Sequence, residues 1–142
     1  MIKILTILLL LLVPASSHAV KKDECTILRV VDGDTVEVPL SCLPKNMKLF
    51  VRVHGVDTPE KGGRAECKSE AELAATASMY TQSLVGAASN KAILTNHKWD
   101  KFGGRMLADV NLDGIDLRTA LIEKKYARSY HGEKKKSWCE EK

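Results

Sequence analysis

From Thr26 onward, apolar and polar residues alternate in short runs that predict strands. "TILRVV" (Thr26–Val31) sets Thr26, Leu28 and Val30 on one face, and "TVEVPL" (Thr35–Leu40) sets Val36, Val38 and Leu40 against Glu37 and Pro39. The intervening "DGD" reads as a tight turn centred between Gly33 and Asp34, with Asp32 and Gly33 as its formers. Pro39 cannot donate to a ladder, so one side of the second strand is expected to lie free there. "PKNM" (Pro44–Met47) turns the chain into a third strand, Lys48–Val56, with Leu49, Val51 and Val53 opposite Phe50, Arg52 and His54.

The period then changes. Leu73, Ala77, Tyr80 and Leu84 recur at helical spacing and predict a helix from about Ser69 to Ala87, with Ser69 and Glu72 as a capping box. Strands return in Lys91–Asn96 and Arg105–Leu112, separated by the polar loop "HKWDKFGG". Asp113-Gly114 makes a turn, and Leu117–Lys125 reads as a short helix with Leu117 and Leu121 inward. The tail from Tyr126 shows no sustained period. There is no internal repeat, low-complexity tract or linker.

The first nineteen residues belong to a different pattern. One Lys, an apolar run Ile4–Val13, and small residues Ser17 and Ala19 before the cut read as a secretory signal. The run is shorter than the roughly twenty residues a membrane span needs. The expectation is a leader at 1–19 and one domain at 20–142, secreted or periplasmic, with no membrane association after cleavage. Charge changes this picture little: without Lys3 the balance is 21 basic against 18 acidic residues. That permits an anionic substrate without demanding one.

Four cysteines, Cys25, Cys42, Cys67 and Cys139, remain after the cut, and an exported chain with an even number suggests disulfides. Three pairings are possible. A turn centred between Gly33 and Asp34 sets Cys25 opposite Cys42, which favours Cys25 with Cys42 and leaves Cys67 with Cys139. No Cys-x-x-Cys spacing points to zinc.

Asp34 opens the second strand although the turn does not need it. If strands two and three pair antiparallel about Pro44–Met47, Asp34 lies opposite Asp57. Two carboxylates held together repel, so one is protonated or a cation lies between them. Carboxylate oxygens suit Ca²⁺ or Mg²⁺ rather than a soft metal. At the same strand end, Gly55 allows a bulge, Pro59 stiffens the loop, and Glu60 is held just beyond. Arg52 points away from the apolar face. A dication, a carboxylate able to take a proton from water and a guanidinium able to clamp phosphate oxygens fit phosphodiester hydrolysis.

"VVDGDTV", "VRVHGVDTPE" and "DKFGGR", in that order around the helix, resemble the staphylococcal nuclease (thermonuclease) family. The resemblance implies a five-stranded OB-type β-barrel with two to three packed helices, and a Ca²⁺-dependent endonuclease that cuts DNA and RNA to leave 3′-phosphate ends. It implies that Asp34 and Asp57 are carboxylate ligands of calcium, with Thr58 giving its backbone oxygen. Glu60 matches the general base, and Arg52 and Arg105 match the phosphate-binding arginines. A monomer acting on single strands by preference is the expectation.

Two departures qualify the match. Phe102 is followed by two glycines rather than one before Arg105, an insertion a bulge can absorb. The tail lacks the long final helix of the best-known members, and a Cys67–Cys139 bond would tie it to the start of the long helix. Tyr126 and Tyr130 both lie near where the family carries tyrosines beside the nucleotide. The remaining residues read plainly: His54, His97 and His131 as surface or edge residues, and Trp99 and Trp138 as core cover. The rival class is an OB module that binds single strands without cutting them. A structural calcium-binding export factor is the third reading. The binding module predicts lost carboxylates and extra aromatics, whereas Asp34, Asp57 and Glu60 are retained and aromatic content is only 5%; the export factor leaves both arginines and Glu60 without work.

Overall fold

The computed structural model describes residues 23–39, 48–101 and 103–139. The leader at 1–19, Cys42, the Pro44–Met47 turn and Phe102 lie outside the described residues. Strands β1 (Asp23–Thr26), β2 (Arg29–Asp32), β3 (Thr35–Pro39), β4 (Lys48–Val53) and β5 (Val56–Asp57) precede helix α1 (Lys68–Ala87). Strands β6 (Lys91–Trp99), β7 (Arg105–Leu112) and β8 (Ile115–Asp116), helix α2 (Leu117–Glu123) and β9 (Arg128–Ser129) follow.

The expected first strand is broken in two, and the break shapes the sheet. Ile27 donates its N–H to Asn90 O (2.6 Å) and Leu28 donates to Glu37 O (2.8 Å), passing the chain from β6 on one side to β3 on the other. The sheet runs β1-β6-β7-β4-β3-β2, so one bent strand lines both of its edges. All pairs are antiparallel except β4 with β7. The result is a curled mixed sheet, the OB-type half-barrel, with two helices packed on it. Cys25 and Ile27 point inward while Leu28 is exposed, so the inward face of this strand is not that of Thr26 and Leu28. Cys25 lies opposite Ala92 of β6, and the turn register therefore no longer argues for Cys42 as its neighbour.

Leu49, Val51 and Val53 are buried as the alternation predicts, and meet Val36, Val38, Leu94, Val110 and Leu112 in one core. Leu117 and Leu121 close it from α2. Strand β6 extends past the predicted Asn96 to Trp99, because Asn96 adopts a positive φ (51°) and the pairing with β7 resumes after an irregularity between Thr95 and Lys98. Trp99 is 68% exposed and covers no core. Helix α1 caps on Cys67 rather than Ser69, and Glu72 pairs with Lys68 instead of closing a box.

Ala77 is buried and Tyr80 and Leu84 pack partly buried against the core, as the stripe predicts, but the centre of the buried face of α1 is made of small residues. Ala74, Ala77, Thr81 and Val85 turn inward, and their small size lets the helix approach the β2–β3 turn. Thr81 Oγ1 donates to Gly33 O at 2.7 Å. A Cβ on Gly33 would stand 2.9 Å from Ala77 Cβ and 3.2 Å from Thr58 Cγ2. Gly33→Ala is therefore expected to cost about 1–3 kcal/mol, the usual penalty for overpacking. A shifted urea midpoint at constant slope checks it; an unchanged midpoint would show that α1 can move away freely.

Candidate functional site

The β2–β3 turn and the end of β4 bring the site together. Val53 N–H donates to Asp34 O (2.8 Å) and Arg52 lies opposite Thr35, so the strand register is offset by four positions from one that opposes Asp34 and Asp57. An even offset leaves every side chain on the same face, so the apolar pattern could not choose between the two registers. Asp57 reaches Asp34 by another route. Gly55 at φ +82° ends the ladder after β4 and folds the chain back, and β5 then pairs with β9, setting Asp57 opposite Arg128.

Arg52 lies between the two carboxylates. Its Nη1 is 3.1 Å from Asp34 Oδ2 and its Nη2 is 4.0 Å from Asp57 Oδ1, while Nη2 also donates to Val56 O at 2.9 Å. Both aspartates and Thr58 are buried. Asp34 Oδ1 accepts from Thr35 Oγ1 (2.9 Å), and Asp57 Oδ2 accepts from Trp138 Nε1 (3.2 Å). Asp34 Oδ2, Asp57 Oδ1 and the neighbouring Asp32 Oδ1 are buried without a hydrogen bond among the described residues. Lys135 Nζ faces Asp57 Oδ1 at 2.7 Å as a charge contact, off the hydrogen-bonding direction. Asp34 Oδ2 and Asp57 Oδ1 thus face the cations Arg52 and Lys135, and buried carboxylates drawn to one guanidinium are donors that suit a hard cation.

Burial pushes the Asp34 carboxyl up to about 7; Arg52 opposes the rise, and the adjacent Asp32 adds to it. The ordinary value is 3.8, so the folded state binds the proton more tightly than the unfolded one. Asp34 thus contributes stability in full below about pH 4, and that contribution is lost as pH rises through about 7. In chelator, wild-type stability is expected to fall relative to Asp34→Asn between pH 4 and 7, at up to about 1.4 kcal/mol per unit. Denaturant titrations at several pH values check this, and parallel profiles for the two proteins would contradict it.

Glu60 lies at the mouth of the site and is held by its own backbone. Its N–H donates to Glu70 Oε1 (3.0 Å), and Glu66 N–H donates to Glu70 Oε2 (2.6 Å). Glu70 is buried in the first turn of α1, so the loop carrying Glu60 is fastened to the helix. The Glu60 side chain is partly exposed, with Oε1 accepting from Lys135 Nζ (3.0 Å) and Oε2 3.3 Å from Arg64 Nε. Arg105 opens β7 after a turn in which Gly104 takes φ +78°, the left-handed conformation that absorbs the second glycine. Asp100 Oδ2 holds Arg105 by Nε and Nη2, both at 2.6 Å.

A cleft of about 520 Å³ has Arg52, Glu60 and Arg105 in its wall beside Lys98, Asp100, Lys101 and Tyr130, and meets the buried aspartates through Arg52. Tyr126 instead packs edge-on against Tyr80, at 5.4 Å between ring centres, so geometry separates the two tyrosines. His54 and His131 line the cleft without clustering, and His97 is exposed. Trp138 is tied to Asp57, and Arg128 stacks over its ring at 3.7 Å. Glu70, Asp100, Lys135 and Trp138 are the contributors that pattern reading misses. Glu70 carried a signal, being the third residue of the helix where a capping carboxylate belongs; the tail residues carried none.

An OB-type half-barrel sets two aspartates against Arg52, and Arg52 lines one cleft with Glu60 and Arg105. The sequence matches the family model of staphylococcal nuclease homologues over residues 50–142, nearly two-thirds of its length, and the chain belongs to that family. The match contains Arg52, Asp57, Thr58, Glu60 and Arg105, while Asp34 joins them through the fold. No curated protein matches the chain at a significant level.

Proposed function

We propose that this protein is an exported, calcium-dependent nuclease that hydrolyses phosphodiester bonds of DNA and RNA, with single strands preferred. The observation that carries the reading is the pair of buried carboxylates, Asp34 and Asp57, which both face Arg52, while Arg52 lines one cleft with Glu60 and Arg105. Asp34, Asp57 and the backbone oxygen of Thr58 would hold the dication. When bound, Ca²⁺ neutralises phosphate charge and makes a nearby water more acidic.

The chain's own groups supply the rest. Glu60, fixed by Glu70 and open to the cleft, takes the proton of the attacking water. Arg52 and Arg105 flank the phosphate and stabilise the charge that builds on its oxygens. Asp100 keeps the Arg105 fork aimed, and Lys98 and Lys101 extend the positive lining toward the strand. Water adds at phosphorus, the bond to the 5′ oxygen breaks, and the products carry 3′-phosphate and 5′-hydroxyl ends. Export to an oxidising compartment is supported by the Cys67–Cys139 disulfide and by the leader-like pattern of residues 1–19. We take the domain to act as a monomer.

The alternative, an OB module that binds strands without cutting, draws support from Trp99, exposed beside the cleft residue Lys98. Mass spectrometry of the products from a DNA and an RNA oligomer separates the readings. The expected result is 3′-phosphate ends from both. Intact oligomers, 5′-phosphate ends, or cyclic phosphates from RNA alone would contradict the proposal.

A further inference from the structure

The tail enters the site through one side chain. Lys135 Nζ lies 2.7 Å from Asp57 Oδ1 and 3.0 Å from Glu60 Oε1, bridging a metal-ligand candidate and the candidate base. A lysine ammonium is positively charged at neutral pH, so Lys135 is a resident cation between these two carboxylates. Arg52 also faces Asp57, at 4.0 Å.

The segment bearing Lys135 is fastened on both sides. Before it, Tyr130 N–H donates to Gly55 O (3.0 Å). After it, Ser137 Oγ donates to Glu66 Oε2 (2.8 Å), Arg128 Nη1 donates to Ser137 O (2.8 Å), and Trp138 bonds Asp57. Cys139 then closes a disulfide with Cys67, at the N-terminus of α1. The Lys135 side chain itself is 42% exposed, so it can swing into the cleft without unfolding the segment.

We propose that Lys135 is a tethered competitor of the metal: it neutralises Asp57 and Glu60 in the metal-free protein and must leave before a dication is bound. The Cys67–Cys139 disulfide sets the strength of that competition by keeping the tail in place. This inference rests on the reading of Asp34 and Asp57 as metal ligands. A tie that merely fastened the tail would need no charged group on two residues of the site.

Calorimetric titration of Ca²⁺ into the metal-free mature chain tests it without relying on activity. Lys135→Met is expected to tighten Ca²⁺ binding about tenfold, and Lys135→Arg to restore much of the wild-type value. Lys134→Met, which removes the same charge one residue away, should shift affinity by no more than about twofold, the size of a screened surface effect. The double variant Cys67→Ser/Cys139→Ser should also tighten binding, but no longer do so on the Lys135→Met background. Equal Ca²⁺ affinity of wild type and Lys135→Met overturns the competitor while leaving the metal site intact. So does an equal gain from Lys134→Met. Absence of Ca²⁺ binding in every variant overturns both the competitor and the metal site. The single Lys135 variants decide the matter even if the chain without its disulfide does not fold.

Discussion

Glu60→Gln is expected to lower strand cleavage by about 10²–10⁴ without lowering Ca²⁺ affinity, the loss typical of removing a general base. The substitution keeps the volume of the side chain and the N–H that Glu60 donates to Glu70, so the loop stays where it is. What it removes is the lone pair that takes the proton of the attacking water. A fall of less than about threefold at saturating Ca²⁺ would mean that another group, or bulk water, accepts the proton.

The second large effect is at Arg52, where replacement by Gln should cost about 10²–10³ in turnover, comparable to losing one preorganised donor to a developing anion. Two physical causes combine. The guanidinium supplies paired N–H groups to the phosphate, and it also holds down the pKa of Asp34, which burial has already raised to about 7. Without it, protons should compete more strongly with Ca²⁺ at neutral pH, so the variant's Ca²⁺ affinity should improve on going to pH 8. Lysine restores the charge but not the fork, and Arg52→Lys should therefore recover Ca²⁺ affinity more than turnover. Full recovery of turnover by lysine would show that charge alone is needed.

Much of this site could be read from the sequence because its members lie close together there. Asp34 is the second residue of the two-residue β2–β3 turn rather than the first of the strand, and Arg52, Asp57, Thr58 and Glu60 fall within nine positions on one strand and the loop after it. The alternation of Leu49, Val51 and Val53 fixed which face Arg52 occupies, and the strand boundaries of β7 matched the prediction. Three features were hidden for separate reasons. The β3–β4 register was hidden because an even shift preserves both faces. The break at Ile27 and Leu28 was hidden because it arises from competition between β6 and β3 for the same strand. Thr81 on the inward face of α1 was hidden because it is placed for its hydrogen bond to Gly33 rather than for hydrophobic bulk.

The tail was the least legible part. Lys135 lies 75 positions from Glu60, and Ser137 lies 71 from Glu66, so no local period connects them. The Cys67–Cys139 bond was expected as the pair left once Cys25 was set with Cys42, although the register behind that choice does not hold. Trp138, read as core cover, instead lies between Arg128 and Asp57 because the disulfide brings the tail over the site. Asp100 looked like an ordinary loop residue until its hydrogen bonds to Arg105 were visible.

The measurement that bears most directly on the account is the rate at which the mature chain, with its disulfides intact, cuts single-stranded DNA at neutral pH in Ca²⁺ and in chelator. Cutting in Ca²⁺ that stops in chelator and returns on adding Ca²⁺ back, with Glu60→Gln slower by about 10² or more, is the predicted result. Strands that are bound but stay whole in every metal tried, or cutting that continues undiminished in chelator, would contradict it.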